Sequence, residues 1–216
     1  MQFSVIGNAN QCVLAQMTVG DEVCADAANL IVLSDGITIE QSSNTAAELA
    51  MRTPVLDAPV ALTHFRCSSG VGVATFAAPY SGQSRQLEVH GGTWMCARDS
   101  FLFCTSGVKA TIGMAHSVAG GYFRDSGYVV YRLAGHGDAF IHCGGDTIEY
   151  NLEPGQRVTV DAGCVAAYQD TVQAAAESLD VMTSGSGASV SLFLITLTGP
   201  GKIYLASLPL SRIGQR

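Results

Sequence analysis

Charge is scarce in this chain. Lys, Arg, Asp and Glu make up 13% of its 216 residues against 48% hydrophobic side chains, and a disordered chain needs the opposite balance. What charge there is runs negative, with a formal net of −7. An acidic protein repels phosphate backbones, so nucleic acid is not an expected partner. Long apolar runs are missing too. Val190 to Leu197 is too short to cross a bilayer and carries Ser191 and Thr196, so no transmembrane segment is expected. The start, Met1-Gln2-Phe3-Ser4-Val5-Ile6-Gly7, lacks the basic cluster and apolar stretch of a signal peptide. The cysteines form no dense framework either. There are seven, at 12, 24, 67, 96, 104, 143 and 164, and an odd, scattered set reads as reduced thiols in a cytosol. The expected location is cytoplasmic.

Glycine, by contrast, is plentiful, with 24 residues against six prolines, as many short strands joined by tight turns require. The chain also resembles itself. Met17-Thr18-Val19-Gly20-Asp21-Glu22-Val23 and Leu152-Glu153-Pro154-Gly155-Gln156-Arg157-Val158 share an apolar residue, a glycine and a second apolar residue at fixed spacing. Val89-His90-Gly91-Gly92-Thr93-Trp94-Met95 supplies a middle copy. Six residues beyond the glycines Gly20, Gly92 and Gly155 stand Asp26, Arg98 and Asp161. Copies two and three align without gaps, Gly82 on Gly145, Val89 on Leu152, Gly92 on Gly155 and Leu133 on Leu197. A second block, Tyr131 to Gly137 and Ile195 to Gly201, closes each of these two copies, with a blurred version at Phe65 to Val73.

Within a copy the apolar period is two, as in Val71, Val73 and Thr75, and turn residues bound the apolar runs. The sequence therefore predicts an all-β protein of three tandem units of β-sandwich type at 1–81, 82–144 and 145–216, with an insertion at about 42–59. Thr45 to Met51, inside that insertion, is the best helical candidate. The turn residues expected to be structural are Gly20, Gly92, Gly155, Pro154, Gly199, Pro200 and Gly201. Pro154 fixes φ and Gly155 supplies a positive φ.

In order and spacing, Gly20-Asp21-Glu22-Val23, Leu62 to Phe65, Pro79-Tyr80-Ser81-Gly82, Ile148 to Asp161 and Leu197-Thr198-Gly199-Pro200-Gly201 resemble the altered-inheritance-of-mitochondria number twenty-four family. The resemblance covers essentially the whole chain. It implies a fold like that of the tryptophan RNA-binding attenuation protein (TRAP-like), with a threefold duplication of a short double-stranded β-helix unit and pseudo-threefold symmetry. It also implies bacterial members of uncharacterised role and mitochondrial relatives linked to inner-membrane organisation. The family offers no catalytic residues to carry over.

The residues themselves assign no catalytic, cofactor-binding or metal-binding group. His64-Phe65-Arg66-Cys67 and His142-Cys143 are single pairs far apart, whereas a structural zinc site wants four ligands in close pairs. His90-Gly91-Gly92 has the look of an oxyanion loop, but no Gly-x-Ser-x-Gly elbow accompanies it. Asp26 and Asp161 occupy equivalent places, which favours one duplicated structural role over a catalytic pair. Trp94, Tyr122, Phe123, Tyr128 and Tyr131 are the aromatic-rich positions, and only Arg124 and Arg132 lie close, next to Asp125, too few cations for a base-stacking platform. The expected function is a non-enzymatic binding or assembly module with no cofactor. The alternatives are a small-molecule or RNA-binding TRAP-like protein and, weaker, a metal-dependent enzyme. Bare strand edges invite pairing, so the expected partners are the chain itself, as a dimer or trimer, and an unknown protein.

Overall fold

The computed structural model describes residues 1–41, 56–116, 128–182 and 189–209. The helix expected at Thr45 to Met51, most of the insertion, and Tyr122 and Phe123 lie outside them. Within the described residues every extended element is a strand and no α-helix occurs. In chain order the strands are β1 (Gln2–Ile6), β2 (Cys12–Thr18), β3 (Glu22–Ala25), β4 (Leu30–Leu33), β5 (Ile37–Gln41), β6 (Thr63–Cys67), β7 (Val71–Phe76), β8 (Gly82–Ala97) and β9 (Phe101–Thr105). They continue with β10 (Val108–His116), β11 (Tyr128–Gly144), β12 (Thr147–Leu152), β13 (Arg157–Asp161), β14 (Val165–Gln169), β15 (Gln173–Met182), β16 (Ser189–Thr198) and β17 (Gly201–Ala206).

Alternation along the strands decides which residues go inside. In β2, Val13, Ala15 and Met17 are buried while Gln16 and Thr18 face solvent, as a pleated strand with one wet face requires. All described ladders are antiparallel. They form a four-stranded sheet β1-β2-β7-β4, a three-stranded sheet β13-β16-β15, and a ten-stranded sheet β12-β17-β14-β8-β11-β9-β3-β6-β5 with β10 also on β11.

One pairing scheme occurs three times. At the N-terminal end β7 holds β2 and β4, and β6 holds β3 and β5. At the C-terminal end β17 holds β12 and β14, and β16 holds β13 and β15. In between, β8 and β11 are long enough to serve in both kinds of contact, with β9 and β10 on the far side of β11. Even an irregularity repeats. The ladders of β4, β9 and β14 each slip by one residue, passing over Ile31, Leu102 and Ala166. Three short 3-10 turns, Ala27–Asn29, Arg98–Ser100 and Ala162–Cys164, precede these strands.

The repeat register read from sequence needs a one-residue correction. The left-handed glycines are Gly20 (φ 93°), Gly91 (φ 77°) and Gly155 (φ 78°), and each lies seven residues before its 3-10 turn. Gly92, expected to be a structural turn residue, has no positive φ and lies within β8. The connection from the buried strand end to the left-handed glycine is one residue shorter in the middle copy, Val89 to Gly91 against Leu152 to Gly155, so β8 runs on without a break. The gapless alignment fails at this point because Gly82 and Gly145 are 63 apart, whereas Gly91 and Gly155 are 64 apart. Gly82 itself sits centrally, bridging Asn10 on one side and Gly145 on the other in parallel.

Three apolar clusters fill the space between sheets, and each borrows from the neighbouring stretch of chain. The N-terminal cluster around Val13, Met17, Phe65 and Phe76 includes Phe103 and Phe140 from β9 and β11. Phe103 stacks on Phe140 at 4.7 Å between ring centroids and meets Phe76 at the same distance. The middle cluster takes Ala166, Ala167 and Tyr204 from the C-terminal strands. The C-terminal cluster takes Tyr128 and Val130 from β11.

Candidate functional site

Cross-strand register gathers polar groups that are distant in sequence. Across β3 and β6, Cys24 stands opposite His64 and Glu22 opposite Arg66, and alternate residues share a face. Glu22 Oε2 accepts from Arg66 Nε and Nη2 at 2.9 and 2.6 Å, and Glu22 Oε1 lies 2.8 Å from His64 Nδ1. Cys24 Sγ lies 3.4 Å from the same ring nitrogen and 3.9 Å from Glu22 Oε1. Burial pushes the Glu22 carboxyl upward, but its hydrogen bonds to His64 and Arg66 and their charges outweigh this and hold it below its ordinary value. Burial and the adjacent Glu22 push the Cys24 thiol up to about 12, which keeps it protonated at neutral pH.

Among the described residues Glu22, Cys24 and His64 are the one set of three metal-ligating side chains with atoms within 4.8 Å of one another. Tetrahedral zinc spaces its ligand atoms roughly 3.3–3.6 Å apart, and the observed separations straddle that range. Both carboxylate oxygens also have partners within the protein, His64 on one and Arg66 on the other. The His/Cys pairs visible in the sequence, His64 with Cys67 and His142 with Cys143, do not include Glu22 and Cys24. The alternation Glu22-Val23-Cys24 and His64-Phe65-Arg66 marks the shared face, but only the β3·β6 register joins the two.

Cys67 and Cys143 point into apolar cores, away from His64 and His142 respectively. His142 is fully buried, Nε2 donating to the Tyr80 carbonyl at 3.0 Å and Nδ1 lying 3.3 Å from Ser84 Oγ. Burial lowers its pKa, which favours the neutral ring. Asp26 and Asp161 accept from the amides of Ala28 and Gly163 at 3.0 and 2.8 Å, each capping a 3-10 turn. The equivalent cap in the middle copy is Ala97 and not Arg98, because of the one-residue slip.

The remaining turn residues meet in pairs. The Gly155 amide donates to the Gly199 carbonyl at 3.3 Å and the Gly199 amide to the Gln156 carbonyl at 2.9 Å. Pro154 therefore leads into a turn locked onto the Gly199-Pro200-Gly201 turn, in which the Gly199–Pro200 peptide is cis and Gly201 has φ 145°. Gly20 and Cys67 exchange the corresponding bonds, Gly20 amide to Cys67 carbonyl and Cys67 amide to Asp21 carbonyl, at 3.0 and 2.9 Å.

Two surface features lie between the repeated pairing groups. A cleft of about 240 Å³ opens where the first two 3-10 turns approach, lined by Asp26, Asn29, Tyr80, Arg98, Asp99 and Tyr131 among others. The second feature is a pair of bare edges. β3 pairs with β9 and β8 with β14, joining neighbouring groups. The corresponding strands left over, β4 and β13, each pair on one side alone among the described residues. Ile31 and Val32 on β4 are 55% and 51% exposed, whereas Leu102, Phe103, Ala166 and Ala167 at matching positions are buried.

A family model described as mitochondrial biogenesis AIM24 matches residues 3–208. No curated protein matches the chain. The crystal structure of a structural-genomics target from Streptococcus pyogenes is similar at a TM-score of 0.78, with 17% identity over 99% of this chain and 96% of that one. At that identity the likeness concerns the fold. No helix among the described residues is long and apolar enough to cross a membrane.

Proposed function

The chain belongs to the mitochondrial biogenesis AIM24 family, and on that premise we propose that it is a non-enzymatic assembly module, a β-scaffold that associates with further copies of itself. The reading takes the thrice-used pairing scheme as three units at about 1–81, 82–144 and 145–216, whose special residues are turn formers. The observation that carries it is the apolar edge of β4, which among the described residues no second strand pairs with. Unpaired edges are templates for another strand, and proteins normally blunt them with charge, proline or a covering loop. Leu30-Ile31-Val32-Leu33 carries no charge and no proline. Covering side chains as exposed as Ile31 and Val32 contributes about 1 kcal/mol each, on top of the backbone hydrogen bonds an added strand forms. Seven free thiols support a reducing, cytosolic setting.

Light scattering and sedimentation at micromolar protein test the proposal. The expected mass is a small multiple of 22.5 kDa, dimer or trimer, and Val32→Lys returns it toward the monomer. A monomer mass at every concentration sinks the reading. The cleft at Asp26, Arg98 and Tyr131 favours a second reading, a small polar ligand held between units, which a thermal-shift screen of small anions and amino acids would reveal.

A further inference from the structure

The pairings that already join neighbouring groups specify which strand the bare β4 edge takes. Counting from the left-handed glycine of each group makes them comparable. In the β3·β9 contact Cys24 stands opposite Cys104, respectively four residues after Gly20 and thirteen after Gly91. In the β8·β14 contact Met95 stands opposite Tyr168, again four after Gly91 and thirteen after Gly155. The neighbours follow the same rule, Ala25 opposite Phe103 and Cys96 opposite Ala167. So does the hydrogen bond that ends each ladder. The Ser106 amide donates to the Glu22 carbonyl at 3.2 Å, and the Asp170 amide to the Thr93 carbonyl at 3.1 Å. Two independent contacts thus share one register to the residue.

One further combination follows the rule, the first strand type of the third group, β13, against the second strand type of the first, β4. Among the described residues it is not made within the chain. Its register places Thr159 opposite Leu33, Val160 opposite Val32, Val158 opposite Ser34 and Arg157 opposite Asp35. Side chains on both strands suit it. Val160 meets the half-exposed Val32 at the position where Ala25–Phe103 and Cys96–Ala167 are fully buried. Arg157 and Asp35, both exposed, bring opposite charges face to face.

We infer that β13 of one copy adds to the β4 edge of a second copy in this antiparallel register, Val160 on Val32, with the Asp35 amide donating to the Arg157 carbonyl. The inference rests on the assembly reading and deepens it by naming the partner strand. The contact is heterologous, because each copy offers one edge of each kind. A closed ring of two or three copies satisfies every such edge, whereas an open chain leaves one of each at its ends.

Disulfide trapping tests this. A Val32→Cys chain is mixed with a Val160→Cys chain, oxidised, and run without reductant, with peptide mapping to locate the bridge. The expected result is a dimer-mass band containing a 32–160 link, formed in the mixture and not by either variant alone. A doubly substituted chain that forms the 32–160 link at monomer mass overturns the inference, because the seam then closes within one molecule. An oligomer by light scattering with no 32–160 link also overturns it, while leaving the assembly reading intact; a monomer defeats both. Exposed-site variants guard against misfolding. Arg157→Asp should weaken association a few-fold and Asp35→Arg in the same chain should restore it, and association indifferent to both changes counts against the register.

Discussion

Replacing Gly91 and Gly92 by alanine, one at a time, separates the two alignments of the middle copy. Both sites have room for a methyl group. Nothing lies within 4 Å of a Cβ on Gly92, and the nearest atom to one on Gly91 is His136 Nε2 at 3.8 Å. Sterics therefore do not distinguish them, and backbone conformation does. Gly91 has φ 77°, a left-handed value that costs an alanine roughly 1–2 kcal/mol. Gly92 has no positive φ, and an alanine there narrows the unfolded ensemble, worth about 0.4–1 kcal/mol of stability. For a chain of this size each kcal/mol moves Tm by roughly 2–4 °C. Gly91→Ala should thus lower Tm by about 2–8 °C, and Gly92→Ala should leave it unchanged or raise it by up to about 4 °C. Scanning calorimetry or circular dichroism melting of the two variants side by side is the assay. The reverse order, with Gly92→Ala the more damaging, would refute the one-residue correction and every register counted from Gly91.

Gly82→Ala should be far more damaging than either, because a Cβ there runs into the Cys143 carbonyl and lies 2.8 Å from His142 Nε2, where β8 bridges both Asn10 and Gly145. A loss at the upper end of the roughly 1–3 kcal/mol that overpacking costs is expected from forced backbone displacement in a packed centre, and a urea midpoint equal to that of Gly92→Ala would contradict it. Acid sensitivity should trace in part to Glu22. Its folded pKa lies below the ordinary 4.5, so its stabilisation is full above that value and is lost as pH falls through the folded pKa. Glu22→Gln, less stable at neutral pH, should lose less further stability than the parent between about pH 5 and 3, and parallel pH profiles of denaturant midpoint would show the ion pair to be energetically silent.

Low charge, abundant glycine and a two-residue apolar period determined that this chain is all-β, because those features act locally. A strand such as Cys12–Thr18 buries Val13, Ala15 and Met17 whatever it pairs with. Gly20 and Gly155 were legible as turn formers for the same reason. At Gly91-Gly92 two adjacent glycines offer the sequence equal candidates, and only the backbone shows which of them is left-handed. Ladder register is a different kind of fact. Nothing local in Glu22-Val23-Cys24 names His64 and Arg66, some forty residues away, as its partners; the hydrophobic cores that align β3 with β6 do that. The bare edges are more remote still, since an edge is defined by the neighbour a strand lacks. β4 and β13 carry the same signals as β9 and β14, or β3 and β8, and differ from them in position alone. Among the described residues no second strand pairs with either of them.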